Sequence, residues 1–309
     1  MDASELLQRY ATGERDFRAA DLSDGDLSGA DLQGINLRNS MLFGIDLSGT
    51  NLMASDLHGA MLRQTNLTKA QLTGSRLIGA DLSEAILTDV DLSGANLWQA
   101  TLQNATLCNA NLSRAHLNHS NLSYADLRSA NLSRASLNDA TLTHANLAEG
   151  DLNRIDGIGA NLKRSYLRGA NLALANLSKA ILQEADMDRA NLEGANLSQA
   201  NLHRVILNGA NLTGANLTQA NLIDAQLVLA IMRGAKLDGA ELIEANLTES
   251  DLSWASLQDA NLSAATLHKT ILTDVDLSLA ILRGADLSYT NLQQLELQNL
   301  NLNWTVLPS

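Results

Sequence analysis

Ala110-Asn111-Leu112-Ser113-Arg114 is a five-residue word, and Ala115-His116-Leu117-Asn118-His119 repeats its alanine and its central leucine. Read outward in both directions, a leucine returns at every fifth residue from Leu22 to Leu307, without insertion or deletion. Gly157, Met187 and Met232 are the three substitutions, and Phe17 extends the series one step earlier. Around each central residue i, position i−2 is nearly always Ala, Ser, Thr or Gly, position i−1 is mostly Asp or Asn, and i+1 is often Ser or Thr. A period of five matches neither the 3.6 of a helix nor the 2 of a strand. Positions five apart still need equivalent surroundings. A square coil provides them if each side is one pentapeptide and each corner a turn. The residues at i and i−2 then point inward, and those at i−1, i+1 and i+2 point outward. Polar side chains at i−1 and i+1 suit that placement, because they bond local backbone and meet water.

Composition supports a repeat array. Of 309 residues only one is proline, as expected where stacked segments need their backbone N–H groups. An array grows by adding units and needs no second core, so the length does not by itself demand two domains. The net charge of −13 is uneven. Residues 1–91 carry seven more acids than bases, residues 92–220 one more base than acids, and residues 221–309 seven more acids. That distribution argues against direct nucleic-acid binding. Cys108 is the single cysteine, so no disulfide framework or cysteine metal site is expected. The chain has no basic stretch followed by an apolar run near its start, and no apolar run of the roughly 18 residues a membrane span needs. A cytoplasmic protein with no membrane partner is the expectation.

The A-(D/N)-L-x-x repeat resembles that of the pentapeptide-repeat family over about residues 16–307. The resemblance implies an all-β fold, a right-handed quadrilateral β-helix solenoid with four pentapeptides per coil. Residues n and n+20 then stack, giving about 14 coils and, at a strand spacing of ~4.8 Å, a length of roughly 70 Å. Residues 16–307 form one domain in this reading, and residues 1–15 a lead-in with a short capping helix. Asp2 and Glu5 have capping-box spacing, Leu6, Leu7 and Tyr10 share a face, and Gly13 is placed to end the helix. The stretch Glu5-Leu6-Leu7-Gln8-Arg9-Tyr10 followed by Gly13-Glu14-Arg15-Asp16-Phe17 resembles the leader of cyanobacterial members. Among the larger residues at i−2, Ile155 is expected to fill the space left by the missing leucine at Gly157.

At the other end Leu295 and Leu300 replace the small i−2 residue, and Trp304, Val306, Leu307 and Pro308 follow. Two readings stand: these side chains close the last coil, or they form the tail-to-tail homodimer contact that the resemblance implies for some members.

Chemistry is hard to find. The histidines His58, His116, His119, His144, His203 and His268 do not stack on one another under a 20-residue register, and no metal-ligand set converges on them. The serines occupy the repeat's i+1 slot, and none is marked for activation. The glycines come singly, without a phosphate-cradling loop. No enzyme, cofactor or metal is expected. Outward surface is what is left. Arg114, Arg134 and Arg154 fall at 20-residue spacing, all at i+2, and form a predicted ladder of like charge. Lys163, Arg164 and Arg168 follow in the next coil. Ile223, Val228, Leu229, Ile231 and Ile243 fall in outward slots and form a predicted apolar patch, with Trp254 beyond it. Met41, Phe43 and Met61 make an outward patch near the N-terminus, with Met41 and Phe43 expected to pack the capping helix, and Ile78 stacks under Trp98. These features point to a non-enzymatic interaction scaffold with an unknown protein partner. The alternative is an acidic mimic of DNA that binds DNA gyrase, as the resemblance implies for some members. Against it stand the neutral middle of the chain and the absence of inserted loops.

Overall fold

The computed structural model describes residues 1–292 and 302–307, and its pentapeptides repeat one backbone motif. The bridges are parallel and run in the 20-residue register, as in Asp91↔Asn111 and Asn111↔Asn131. Four pentapeptides therefore make one coil. The unit Asn111–Ala115 shows why the motif is stable, because all five of its N–H groups are used. Leu112 N–H and Arg114 N–H donate forward to Asn131 O at 2.7 Å and Ser133 O at 3.0 Å. Asn111 N–H donates back to Val90 O at 2.9 Å, and Ala115 N–H closes the turn on Leu112 O at 3.0 Å. Ser113 N–H would be the orphan, and the Asn111 carboxamide oxygen accepts it at 3.2 Å. Buried or half-buried backbone donors need such partners. The preference for Asp or Asn at i−1 follows: its oxygen sits two residues before the unpaired N–H, as in an Asx turn.

The corners carry a feature that the sequence pattern did not reveal. Every i+2 residue from Ala19 to Tyr289, and Trp304, has positive φ; for those that are not glycine it lies between 52° and 64°. A positive φ at this position of a turn is what type II geometry requires, and it disfavours any residue with a Cβ. The fold carries that cost at corners occupied by Arg, Glu, Gln, Tyr and Trp. The stacked hydrogen bonds and the leucine core offset it.

The chain divides into two compact units, Met1–Asp156 and Gly157–Ser309. The first begins with helix α1 (Ala3–Ala11), whose N-terminus is held by the Asp2 carboxylate accepting Glu5 N–H at 2.8 Å. Leu6 is fully buried, whereas Leu7 is 38% exposed, so the apolar face of α1 is narrower than its spacing predicts. Tyr10 Oη donates to Gln33 O at 2.8 Å, tying α1 to the coils. The central residues from Phe17 to Leu152 are buried, with the small i−2 residues packed between them from Ser40 onward. Some i−2 hydroxyls donate to a carbonyl of the preceding coil, as from Thr50 to Leu27 O (2.9 Å) and Thr65 to Leu42 O (2.9 Å), whereas Ser120 and Ser165 donate within their own turn to Leu117 O and Leu162 O.

In the second unit Met187 and Met232 are as buried as the leucines they replace, a volume-conserving exchange. Gly157 keeps the hydrogen-bond register, donating to Asn176 O at 2.8 Å. The neighbour beside it is Leu177, whose Cδ2 stands 3.2 Å from where a Cβ would be. Asparagines at i−1 run in hydrogen-bonded ladders, Asn211 to Asn191 and Asn191 to Asn171, each 3.2 Å.

Candidate interaction surfaces

Outward positions differ in how far they project. The i+2 side chains stand on the corners and are mostly exposed, whereas i−1 and i+1 lie along the sides, flanked by their equivalents 20 residues away, and are mostly half-buried. That corrects the predicted apolar patch. Leu229 (57% exposed) and Ile231 (43%) face water, but Ile223, Val228 and Ile243 are half-buried. The exposed apolar surface instead continues from Leu229 and Ile231 to Ile271 (47%) and Trp254 (61%). The bridges Ile231↔Asp251↔Ile271 put the two isoleucines on either side of Asp251. Asp251 is buried there beside Ser253, accepting bonds from Ser253 N–H (3.0 Å) and from the Arg233 guanidinium. Burial pushes the Asp251 carboxyl up, but the bonds from Ser253 and Arg233 outweigh it and hold it below the ordinary carboxylate range. Trp254 Nε1–H donates to Asp274 at 3.2 Å, laying the indole along the corner. Ile271 was legible as an outward apolar residue 40 positions, or two layers, from Ile231.

Arg114, Arg134 and Arg154 stack as their spacing predicts. Their strands pair through Asn111↔Asn131↔Asp151, and Arg114 N–H and Arg134 N–H donate to Ser133 O (3.0 Å) and Asn153 O (2.9 Å). All three are exposed, and among the described residues their side chains make no ion pair or hydrogen bond. Several other cations are paired. Arg164 pairs with Glu184 (2.7 Å), Arg204 with Asp224 (3.2 Å) and Lys269 with Glu249 (3.3 Å), each 20 residues away. Arg168 likewise pairs with Asp188 at 3.0 Å.

Near the N-terminus, Met41, Phe43 and Met61 are 42%, 44% and 57% exposed, so α1 does not cover them. With Gly59, Gly79 and Arg63, Phe43 and Met61 line a depression of about 400 Å³. The bare glycine corners make it, since no side chain projects there.

Three of the histidines, His119, His144 and His268, meet side chains of adjacent coils. His144 lies on Tyr124 with centroids 4.9 Å apart, and His268 Nδ1 meets Ser288 Oγ at 2.8 Å. His119 stands edge-on to Trp98. Among the described residues no group of three His, Cys, Asp or Glu side chains is placed to hold a metal ion, and no helix is long and apolar enough to cross a membrane. Burial pushes the Cys108 thiol up, as does the neighbouring Asp126, so it is a poor nucleophile. Of the predicted C-terminal contact residues, Trp304 is 84% exposed and Val306 53%, with Val306 bridged to Asp286. Leu295 and Leu300 lie outside the described residues.

The family model described as pentapeptide repeats matches in overlapping segments from residue 16 to residue 299. Among solved structures, the chain is similar to HetL, a pentapeptide repeat protein involved in heterocyst differentiation regulation in the cyanobacterium Nostoc sp. strain PCC 7120. The identity is 33%, over 89% of this chain and 98% of that one, with a TM-score of 0.45. It is similar at 17% identity to QnrB1, a plasmid-mediated fluoroquinolone resistance protein, over 62% of this chain and 89% of that one (TM-score 0.42). A pentapeptide repeat protein of the Arabidopsis thaliana thylakoid lumen matches at 29% identity over 33% of this chain and 70% of its own (TM-score 0.32). No curated protein matches the chain.

Proposed function

Because the chain belongs to the pentapeptide repeat family, we propose that it acts without catalysis, as an interaction module whose outward side chains bind a protein partner. The observation that carries this reading is the cluster of Leu229, Ile231, Trp254 and Ile271, each more than 40% exposed, around the buried Asp251 and the exposed Arg233 that pairs with it. Exposed aliphatics in contiguous layers, with an aromatic residue and an arginine beside them, have the composition of an interface centre. The rigid hydrogen-bonded backbone beneath them lowers the ordering cost of binding. The acidic surface that would imitate a DNA duplex for gyrase is interrupted by the arginine column, so that reading has weaker support.

Affinity capture from the native cell tests the proposal. A partner held by the wild-type chain is expected to be lost with the double variant Leu229→Asp and Ile231→Asp, and kept with the exposed control Arg189→Asp. Equal recovery with all three chains rejects this surface. Within the same reading, α1 covers the first coil, and Trp304 and Val306 serve contact with a second copy. Light scattering that finds only monomer at high micromolar concentration removes the second-copy contact.

A further inference from the structure

The arginine column is a second place where one kind of side chain persists through successive layers. Arg114, Arg134 and Arg154 occupy successive corners ~4.8 Å apart, the spacing of paired strands. Their φ values of 58°, 59° and 57° and the backbone bonds through Ser133 and Asn153 fix the three Cα atoms, so the charges separate only by splaying side chains. Four other cations, at Arg164, Arg168, Arg204 and Lys269, are each answered by a carboxylate 20 residues away. This column has none, although one acidic residue at position 134 would supply it.

We infer that the column is a binding site for a short acidic segment of a protein, read through its Asp or Glu carboxylates. Guanidinium forks match carboxylates two bonds at a time, and the Ser113 and Ser133 hydroxyls beside them add donors. The Asn111 and Asn131 oxygens are already occupied by Ser113 N–H (3.2 Å) and Ser133 N–H (2.9 Å), so these two side chains offer little competing acceptor. An extended peptide places alternate side chains ~6.7 Å apart on one face. A Glu-x-Glu-x-Glu run therefore spans the column within the reach of splayed arginines.

A nucleic acid fits less well. Its affinity grows with the number of phosphates neutralised, and three cations are few. The chain's net charge of −13 repels a long polyanion over more of its length than it repels a short segment that touches only the column. The inference rests on the proposed interaction role but uses a different surface from the apolar cluster.

The test is fluorescence anisotropy at low salt with a labelled peptide Glu-Ser-Glu-Ser-Glu-Ser-Glu. The same peptide with Gln for Glu and a single-stranded DNA of twenty nucleotides serve as the other probes. The Glu peptide is expected to bind, and Arg134→Asn to weaken it about tenfold, the loss of one charge-assisted contact. Replacing all three arginines by Asn abolishes binding, and the salt dependence flattens. Asn tolerates positive φ, so these variants are expected to keep the wild-type melting temperature, which separates binding from folding. Equal binding of the Gln peptide, tighter binding of the DNA, or unchanged affinity in the triple variant overturns the inference. The variant Leu229→Asp with Ile231→Asp is expected to bind the peptide normally, so failure of the apolar surface and failure of the arginine column are read separately.

Discussion

Replacing Asn118 by Ala tests whether the i+1 amide is what the repeat's Asp or Asn protects. In the coil of Leu137, position i−1 is Ser136, which has no carbonyl to offer Asn138 N–H. Asn118 substitutes from one coil earlier: its Oδ1 accepts Asn138 N–H at 2.9 Å and the Ser136 hydroxyl at 2.5 Å. The same exchange recurs where Gln226 and Ser256 stand at i−1, with Asn208 accepting Val228 N–H (3.0 Å) and Asp238 accepting Gln258 N–H (3.3 Å). Asn118→Ala removes two bonds, each worth about 0.5–1.5 kcal/mol net, and leaves a half-buried donor that water only partly recovers. A loss of about 2 kcal/mol is expected. Ser113→Ala, at an i+1 position where Asn111 already protects the amide, is expected to stay within about 0.5 kcal/mol. The decisive arm is Ser136→Asn, which restores the local oxygen: it should recover about 1 kcal/mol in the Asn118→Ala chain and change little in the wild type. Urea unfolding followed by circular dichroism gives the cycle, and exchange of the Asn138 amide gives the local effect should the transition not be two-state. A loss below about 0.5 kcal/mol, or an equal effect of Ser136→Asn in both backgrounds, refutes the account, since no coupling of the size expected for neighbours would then exist.

Asn104 has φ +57°, so Asn104→Val should cost about 1–2 kcal/mol while Asn104→Gly stays near neutral, as thermal melts would record. Gly157→Leu restores the consensus residue yet should destabilise by about 1–3 kcal/mol, because Leu177 already fills the space; a gain in stability would show that Leu177 withdraws freely. Acid titration should find a flat stability above about pH 4.5 and a fall below it. Asp126 is held low by the Arg128 guanidinium, and Asp276 by Gln258 and Ser278. A carboxylate with a depressed folded pKa contributes stability above its unfolded value, near 3.9 for Asp, and loses it as pH falls through the folded one. A melting temperature unchanged down to pH 2.5 would contradict that sign.

Much of this fold was legible because one residue type marks one environment. A leucine every fifth residue with a small residue two before it assigns inside and outside, and the buried series from Leu22 to Leu287 follows that assignment. The left-handed corners were not legible in the same way. Glycine occupies only some of them, and Arg, Gln or Tyr at the others carry no sign of the strain that the stacked hydrogen bonds impose. The half-burial of Ile223, Val228 and Ile243 was missed for a related reason. Outward in the repeat means out of the core, yet an i+1 side chain still lies between its equivalents one coil above and below. Phe43 and Met41 were assigned to α1 by proximity in sequence, but α1 anchors through Leu6 and Tyr10 and leaves them exposed.

The same geometry decides how surface features should be weighed. Since the backbone bonds, the leucine core and the i−1 oxygen specify the coil, corner residues are nearly free of structural duty beyond tolerating positive φ. Each layer could therefore pair its charges with the next, and at Arg164, Arg168, Arg204 and Lys269 it does. Isolated apolar corners are equally permitted and mean little. An arrangement becomes informative when it persists through successive layers: three arginines, none of them ion-paired among the described residues, or isoleucines kept on both sides of a buried aspartate. Repulsion at those separations is screened in water to a fraction of a kcal/mol per pair, so the fold bears it easily. A cost that small imposes no structural demand for relief, so the column's persistence alone does not establish a use, and the peptide titration against the triple arginine variant decides whether it recognises an anionic partner.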